Sequence, residues 1–434
     1  MNIAETIRDL FHQPFFVGLL AMLTCLCFYI LKGENTAYKK MAWAVYYMLF
    51  GVTFFLFLAT TVYRITHPQI WDFTCFYLWG KVAAGGHNFY QPEHLQAVYH
   101  SIQLPPITYE GFEEEIVNVG FFYPPPTILY FVPLGYLSYD AAIISWTAFI
   151  LLFAAGSVYL IYDLFLKQYK WKGFLLVATL FCVFLPSLST VKFSQTNFIL
   201  LFYLLLMLKL QDTKIAGLLL ALSFFTKPFM LIFIVYFILR KNWGAILYFM
   251  ISAAALMGIT LLLFGEGPFI SYIFDNPVSR MPKSLFTESI NQSLNAVLLR
   301  SGLTTLEKPI LYLGIVGGIL VVAGLYILYL LKRKLYDHIW AMLLLVGLLI
   351  YAGTLSYYAV LMLFIVFQFF DEKRQLGFNK YWNIPIFGVF YYLTTVSVFS
   401  SICFMIIILL IRAFWPGMPQ NIILPEDEVE YNET

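Results

Sequence analysis

The sequence predicts an all-α, polytopic transmembrane protein of about twelve spans, with two long loops on one face that carry short amphipathic helices. Three observations predict it. Hydrophobic residues make up 61% of the 434-residue chain and charged residues 12%, with mean hydropathy +0.80; soluble domains are about 45–50% apolar and about 25% charged. Many apolar runs are long enough, at about 1.5 Å per residue, to cross a hydrocarbon core of about 30 Å. Only two internal segments, 64–121 and 265–308, break this pattern at length.

In chain order, the runs 15–31, 41–63, 122–139, 141–162, 172–190, 196–209, 214–240, 242–264, 309–331, 336–352, 355–370 and 384–411 read as spans. Within 214–240, Lys227 and Pro228 interrupt the apolar pattern, so this run is one broken helix or two short ones. Counted as one element, it leaves six crossings between the two long loops, which therefore share a face. Lys32, Lys39, Lys40, Arg240, Lys241, Lys332, Arg333, Lys334, Lys373 and Arg374 then fall on the other face. By the positive-inside tendency that face is cytoplasmic and both loops are external. Lys167, Lys170 and Lys172 oppose the scheme, because the same count puts them outside. The N-terminus lacks a basic segment followed by an A-x-A-like cleavage site, so the first run is expected to remain in the mature chain, with the N-terminus outside. Residues 414–434 form an acidic tail, and the whole chain, 1–434, reads as one membrane domain.

The net charge of +2 argues against a nucleic-acid-binding surface. Five cysteines lie mostly in apolar runs, and no Cys/His spacing suits a metal; neither metal nor cofactor is expected.

The first loop opens WDFTCFYLWGKVAAGGHNFY. Phe73, Phe76, Tyr77, Trp79 and Val82 recur at helical spacing before a Gly85–Gly86 stop, predicting a short amphipathic helix on the membrane surface. Asp72 stands at its start, either as an N-cap or as a functional carboxylate. The loop leaves through GFFYPPPTILYFVPL, which contains Tyr123; three prolines fix an extended entry to the next run. Gln195 and Asn197 mark a helix start in FSQTNFILL. Lys227, within an apolar stretch, either meets an anion such as phosphate or snorkels to the surface. The second loop gathers Arg280, Lys283 and Arg300 with Asn291 and Gln292. Its cations suit phosphate and its amides suit sugar hydroxyls, although an ordinary basic loop has the same composition.

Taken in order, the Asp72 loop with AAGGHNFY, FFYPPPTILYFVPL, FSQTNFILL, AGLLLALSFFTKP and NQSLNAVLLR resemble glycosyltransferase family 87 from about Tyr63 to Phe370. These are polyprenyl-phosphate-sugar-dependent enzymes of the GT-C superfamily, including bacterial mannosyl- and arabinofuranosyltransferases. The resemblance implies inverting transfer at the extracytoplasmic side of a bacterial cytoplasmic membrane, without nucleotide sugar or metal, from a lipid-linked donor to a glycolipid or glycan acceptor. Asp72 is the implied general base, and Lys227, Arg280 and Lys283 the implied phosphate ligands. Tyr123, Gln195, Asn197, Asn291, Gln292, Tyr357 and Tyr358 are expected to contact sugar or acceptor. Two features depart from the family: the extra first span, and TLSYYAVLML, where Tyr357 and Tyr358 replace a histidine-containing motif. A transporter or flippase shares the span count and the intramembrane lysine, but the unequal aromatic loops and lack of an inverted repeat argue against it. An oligosaccharide ligase or polymerase would carry more arginine in its loops.

Overall fold

The computed structural model describes residues 13–33, 38–67, 71–102, 104, 120–275, 284–304, 310–370 and 380–414. These residues are helical throughout, apart from loops and one bridging pair, Asn291 with Leu355. Among the described residues, five stretches are long and apolar enough to cross a bilayer: Pro14–Lys32, Lys39–Thr66, Tyr139–Val183, Trp243–Phe264 and Ile310–Lys332. Exposed large apolar side chains on Trp243–Phe264 and Ile310–Lys332, such as Leu262 and Val321, mark surfaces that need lipid rather than water around them.

Helices α1 (Pro14–Lys32) and α2 (Lys39–Thr66) lead to α3 (Trp71–Ala84) and α4 (Pro92–Ser101) in the first loop. α3 forms where the sequence predicts a helix, but its aromatic face does not lie on the membrane surface. Phe73, Phe76, Trp79 and Val82 are buried in protein; Phe76 stacks on Phe131 at 4.5 Å and packs edge-on to Trp146. Spacing shows that a face is apolar and not what covers it.

Residues 122–139 do not form the expected span. After Pro124 they make a 3₁₀ helix, Pro125–Tyr130, and a single turn, α5 (Val132–Gly135). The chain then returns to α3: Tyr77 donates its hydroxyl to the Leu137 carbonyl, 3.1 Å, and the Tyr139 and Thr74 hydroxyls meet at 2.8 Å. Consecutive prolines withhold amide hydrogens and the chain stays irregular. Gly80 of α3 and Gly135 permit the contact, since a Cβ on either would strike the backbone of the other segment.

α6 (Tyr139–Ile161) then runs away from this end, and after the break at 162–169 the chain returns through α7 (Lys170–Val183) and α8 (Leu185–Lys192). Lys167 in this break and Lys170 and Lys172 at the start of α7 are the residues that oppose the charge scheme. Lys172 donates to the Leu31 carbonyl at 2.7 Å, and Lys32 reaches the Tyr169 hydroxyl at 3.2 Å, so the cluster sits beside Lys32 with the other basic residues. Removing the crossing at 122–139 removes the conflict.

α9 (Asn197–Lys209) ends at this basic end, where Asp163 pairs with Lys167 at 2.8 Å and Lys209 at 2.7 Å. α10 (Ile215–Thr226) leaves it, and the 3₁₀ helix Pro228–Phe233 with α11 (Ile234–Leu239) comes back, to Arg240 paired with Asp212 at 2.9 Å. Residues 214–240 are thus two short helices forming a hairpin. Its first arm spans about 18 Å at about 1.5 Å per residue, and Lys227 is its tip.

α12 (Trp243–Phe264) leads to the second loop, with α13 (Gly267–Phe274), α14 (Ser284–Thr287) and α15 (Leu294–Arg300). The two loops touch: Asn88 donates to the Ser271 hydroxyl at 3.0 Å, Phe89 packs on Phe264 and Tyr90 on Tyr272. α16 (Ile310–Lys332), α17 (Tyr336–Ile350), a 3₁₀ helix Ser356–Met362 with α18 (Leu363–Gln368), α19 (Lys380–Val396) and α20 (Val398–Phe414) complete the bundle.

Candidate active site

Three irregular segments and the start of α3 meet at the end where the two loops touch. Each is irregular for a local reason. Ser194 has φ +53, a left-handed residue that ends α8 and turns the chain into α9; Trp146 Nε1 donates to the Ser194 carbonyl at 2.7 Å and holds the turn. Pro228 ends α10 and leaves Lys227 extended, φ −149 and ψ 113. Between α17 and the 3₁₀ helix, residues 351–355 are tied to the second loop, because Gln292 N–H donates to the Thr354 carbonyl at 2.7 Å and Ser356 N–H to Ile290 at 2.8 Å.

Asp72 lies inside the first turn of α3 rather than capping it, where unpaired amides favour a carboxylate. Gln195 donates a hydrogen bond to the Asp72 carboxylate, and Lys227 faces it electrostatically. Cys75, Tyr123, Tyr357 and Tyr358 all sense its charge. The residue keeps some exposure, yet its surroundings are poor in water: burial pushes the carboxyl up to about 6, against the lowering influence of Gln195 and then Lys227.

Lys227 is 2% exposed, so it does not snorkel. Its Nζ donates to the Tyr123 hydroxyl at 3.1 Å and lies 4.8 Å from the Tyr123 ring centroid and 4.7 Å from that of Tyr358. Tyr358 is backed by Phe229 at 6.2 Å and Tyr351 at 6.4 Å, both stacked, and Tyr357 packs on Phe193. Gln195 Oε1 and both amide atoms of Asn197 are buried without a partner among the described residues, an arrangement that calls for a further polar group.

The structure therefore brings together Asp72, Lys227, Tyr123, Gln195, Tyr357 and Tyr358. Asn291 and Gln292 are engaged within the chain: Asn291 donates to Ala352 at 2.9 Å and accepts from Ser293, while Gln292 Oε1 accepts from Ser397 at 3.1 Å. Both side chains fasten the second loop to its neighbours. Arg280 and Lys283 lie outside the described residues. Sequence reasoning passes over Cys75, one turn from Asp72, and Tyr351, which stacks on Tyr358; the i, i+3 spacing signals the first, and nothing local signals the second. Among the described residues no group of three or more His, Cys, Asp or Glu side chains is placed to hold a metal ion.

An all-helical bundle with lipid-exposed apolar faces, enclosing a carboxylate and an ammonium at one end, defines an integral membrane protein with a built polar site. The family model for glycosyltransferase family 87 matches residues 121–363, more than half of the chain. The protein belongs to glycosyltransferase family 87 and is a membrane glycosyltransferase. The matched segment contains Tyr123, Gln195, Asn197, Lys227, Tyr357 and Tyr358, while Asp72 precedes it. No curated protein and no solved structure matches the chain.

Proposed function

We propose that this enzyme moves a sugar, with mannose the first candidate, from a polyprenyl-phosphate donor to a lipid-linked or surface glycan, inverting the anomeric carbon. One observation carries the reading: Asp72 and Lys227, far apart in sequence, face each other in one enclosed site, with Gln195 donating to the carboxylate. Inverting transfer needs both charges. The acceptor hydroxyl oxygen forms a bond to the anomeric carbon as the bond from that carbon to the phosphate oxygen breaks. Asp72 takes the hydroxyl proton, and the phosphate leaves with one more negative charge than it had in the donor. A carboxyl near 6 is ionised at neutral pH yet basic enough to accept a proton. Lys227, with Arg280 and Lys283 as further candidates, stabilises the charge growing on the leaving oxygen. The unpartnered Oε1 of Gln195, beside Asp72, suits a sugar hydroxyl, with the buried amide of Asn197 a further candidate. The basic residues cluster at the opposite end of the bundle, which supports an extracytoplasmic site in a cytoplasmic membrane.

The test is transfer by purified protein from radiolabelled polyprenyl-phosphate-mannose to a membrane lipid extract, beside Asp72→Asn. The variant is expected to lose about a hundredfold to ten-thousandfold in rate. Wild-type transfer rates in Asp72→Asn would remove the base assignment, and transfer from polyprenyl-phosphate-arabinofuranose alone would change the sugar.

A further inference from the structure

Lys227 is buried at the tip of a hairpin with few groups to hold it. An ammonium has three donors, and among the described residues one is used, on the Tyr123 hydroxyl at 3.1 Å. Two aromatic rings lie against it, and they engage it differently. The nitrogen is nearer the Tyr123 oxygen, at 3.1 Å, than the Tyr123 centroid, at 4.8 Å; this contact is chiefly a hydrogen bond. At Tyr358 the ring is the contact, with the centroid at 4.7 Å and no hydroxyl bond to Lys227. A ring this close attracts a desolvated cation through its quadrupole. Phe229 and Tyr351, stacked against Tyr358, keep that ring from turning.

We propose that Tyr123 and Tyr358 are positioning residues for Lys227: the hydroxyl of one and the ring face of the other aim the ammonium, leaving its remaining N–H groups for the donor's phosphate. This rests on the phosphate-binding reading of Lys227 and replaces the expectation that these two tyrosines contact sugar. Neither ring competes with phosphate for charge, whereas a carboxylate bonded directly to the ammonium would. The arrangement holds a cation in place while keeping its charge available to a ligand. It also assigns the two halves of the site to separate chain segments, since Tyr123 enters from the proline turn and Tyr358 from the 3₁₀ helix after α17.

Binding of sugar-free polyprenyl phosphate by the full-length protein in detergent tests this, read with the KM and kcat of sugar transfer. Tyr358→Phe is expected to bind as wild type, Tyr358→Leu about tenfold more weakly, and a fluorinated phenylalanine at 358, which keeps the shape and weakens the quadrupole, between them. Tyr123→Phe is expected to weaken binding about tenfold, because it keeps the ring and loses the acceptor. A Tyr358→Phe defect as large as that of Tyr358→Leu would overturn the proposal in favour of a hydroxyl contact to substrate. So would wild-type affinity in both the fluorinated variant and Tyr358→Leu. If Lys227→Met binds polyprenyl phosphate as well as wild type does, the phosphate role of Lys227 fails and the positioning role with it. That result differs from one in which Lys227→Met is defective and the tyrosine variants are not.

Discussion

At the scale of single residues, the site is set by what a low-dielectric surrounding does to a carboxylate. Burial raises Asp72 to about 6 from an ordinary value of 3.8, so kcat/KM should rise with pH and level off above about 6. Gln195→Leu removes a hydrogen bond that favours the charged form, and the acid limb of the profile should move to higher pH; an unmoved limb would separate Gln195 from the base. The same shift has a stability sign. A carboxyl raised on folding contributes stability that is present at pH below its unfolded value and lost as pH rises through the folded value. Thermal stability should therefore fall between about pH 4 and pH 6, and Asp72→Asn should remove that part of the slope.

At the scale of elements, the irregular segments matter more than the long helices. α3 is seated by the contact of Gly80 with the backbone at Phe131 and Gly135, where a Cβ has no room. Gly80→Ala should cost about 1–3 kcal/mol from overpacking and lower kcat by displacing Asp72. Gly258→Ala, with nothing within 4 Å of the added Cβ, should be neutral or slightly stabilising through helix propensity. Thermal shift and transfer assays on the pair separate a local backbone requirement from general intolerance of alanine. The hairpin at 214–240 follows the same logic. Lys227 and Pro228 are visible in the sequence as an interruption, but a broken helix and a hairpin share that signature. The choice is made by partners elsewhere, Asp212 for Arg240 and Tyr123 for Lys227.

At the scale of the whole molecule, the two loops touch at one end and basic residues gather at the other. Replacing the crossing at 122–139 by a turn, and the single pass at 214–240 by a hairpin, leaves an even number of crossings between the loops. The shared face therefore survives both changes, while the connections between them change sides: Lys167, Lys170, Lys172, Lys209 and Asp212 move to the basic end and Gln195 to the end where the loops touch. Maleimide labelling of single-cysteine variants in intact cells checks this: Lys167→Cys and Arg333→Cys should react only after the membrane is opened, and His87→Cys without opening it. Labelling of Lys167→Cys and His87→Cys from the same side would break the two-ended arrangement.

Composition and hydropathy alone determine that the chain lives in a bilayer, because the cost of exposing so much apolar surface to water depends on residue content and not on arrangement. Ordered motifs carry the family, and the helix starts at Asn197 and near Asp72 are legible because the onset of apolar periodicity is local. Tertiary structure decides what covers each apolar face, so α3 packs into protein although its pattern suits a membrane surface equally well. It decides that the Asn291 and Gln292 amides fasten a loop while that of Asn197 is buried without a partner among the described residues, since one amide looks like another until its partners are known. The meeting of Asp72 with Lys227 belongs to the same class: electrostatic pairing depends on distance in space, and no spacing along the chain encodes it.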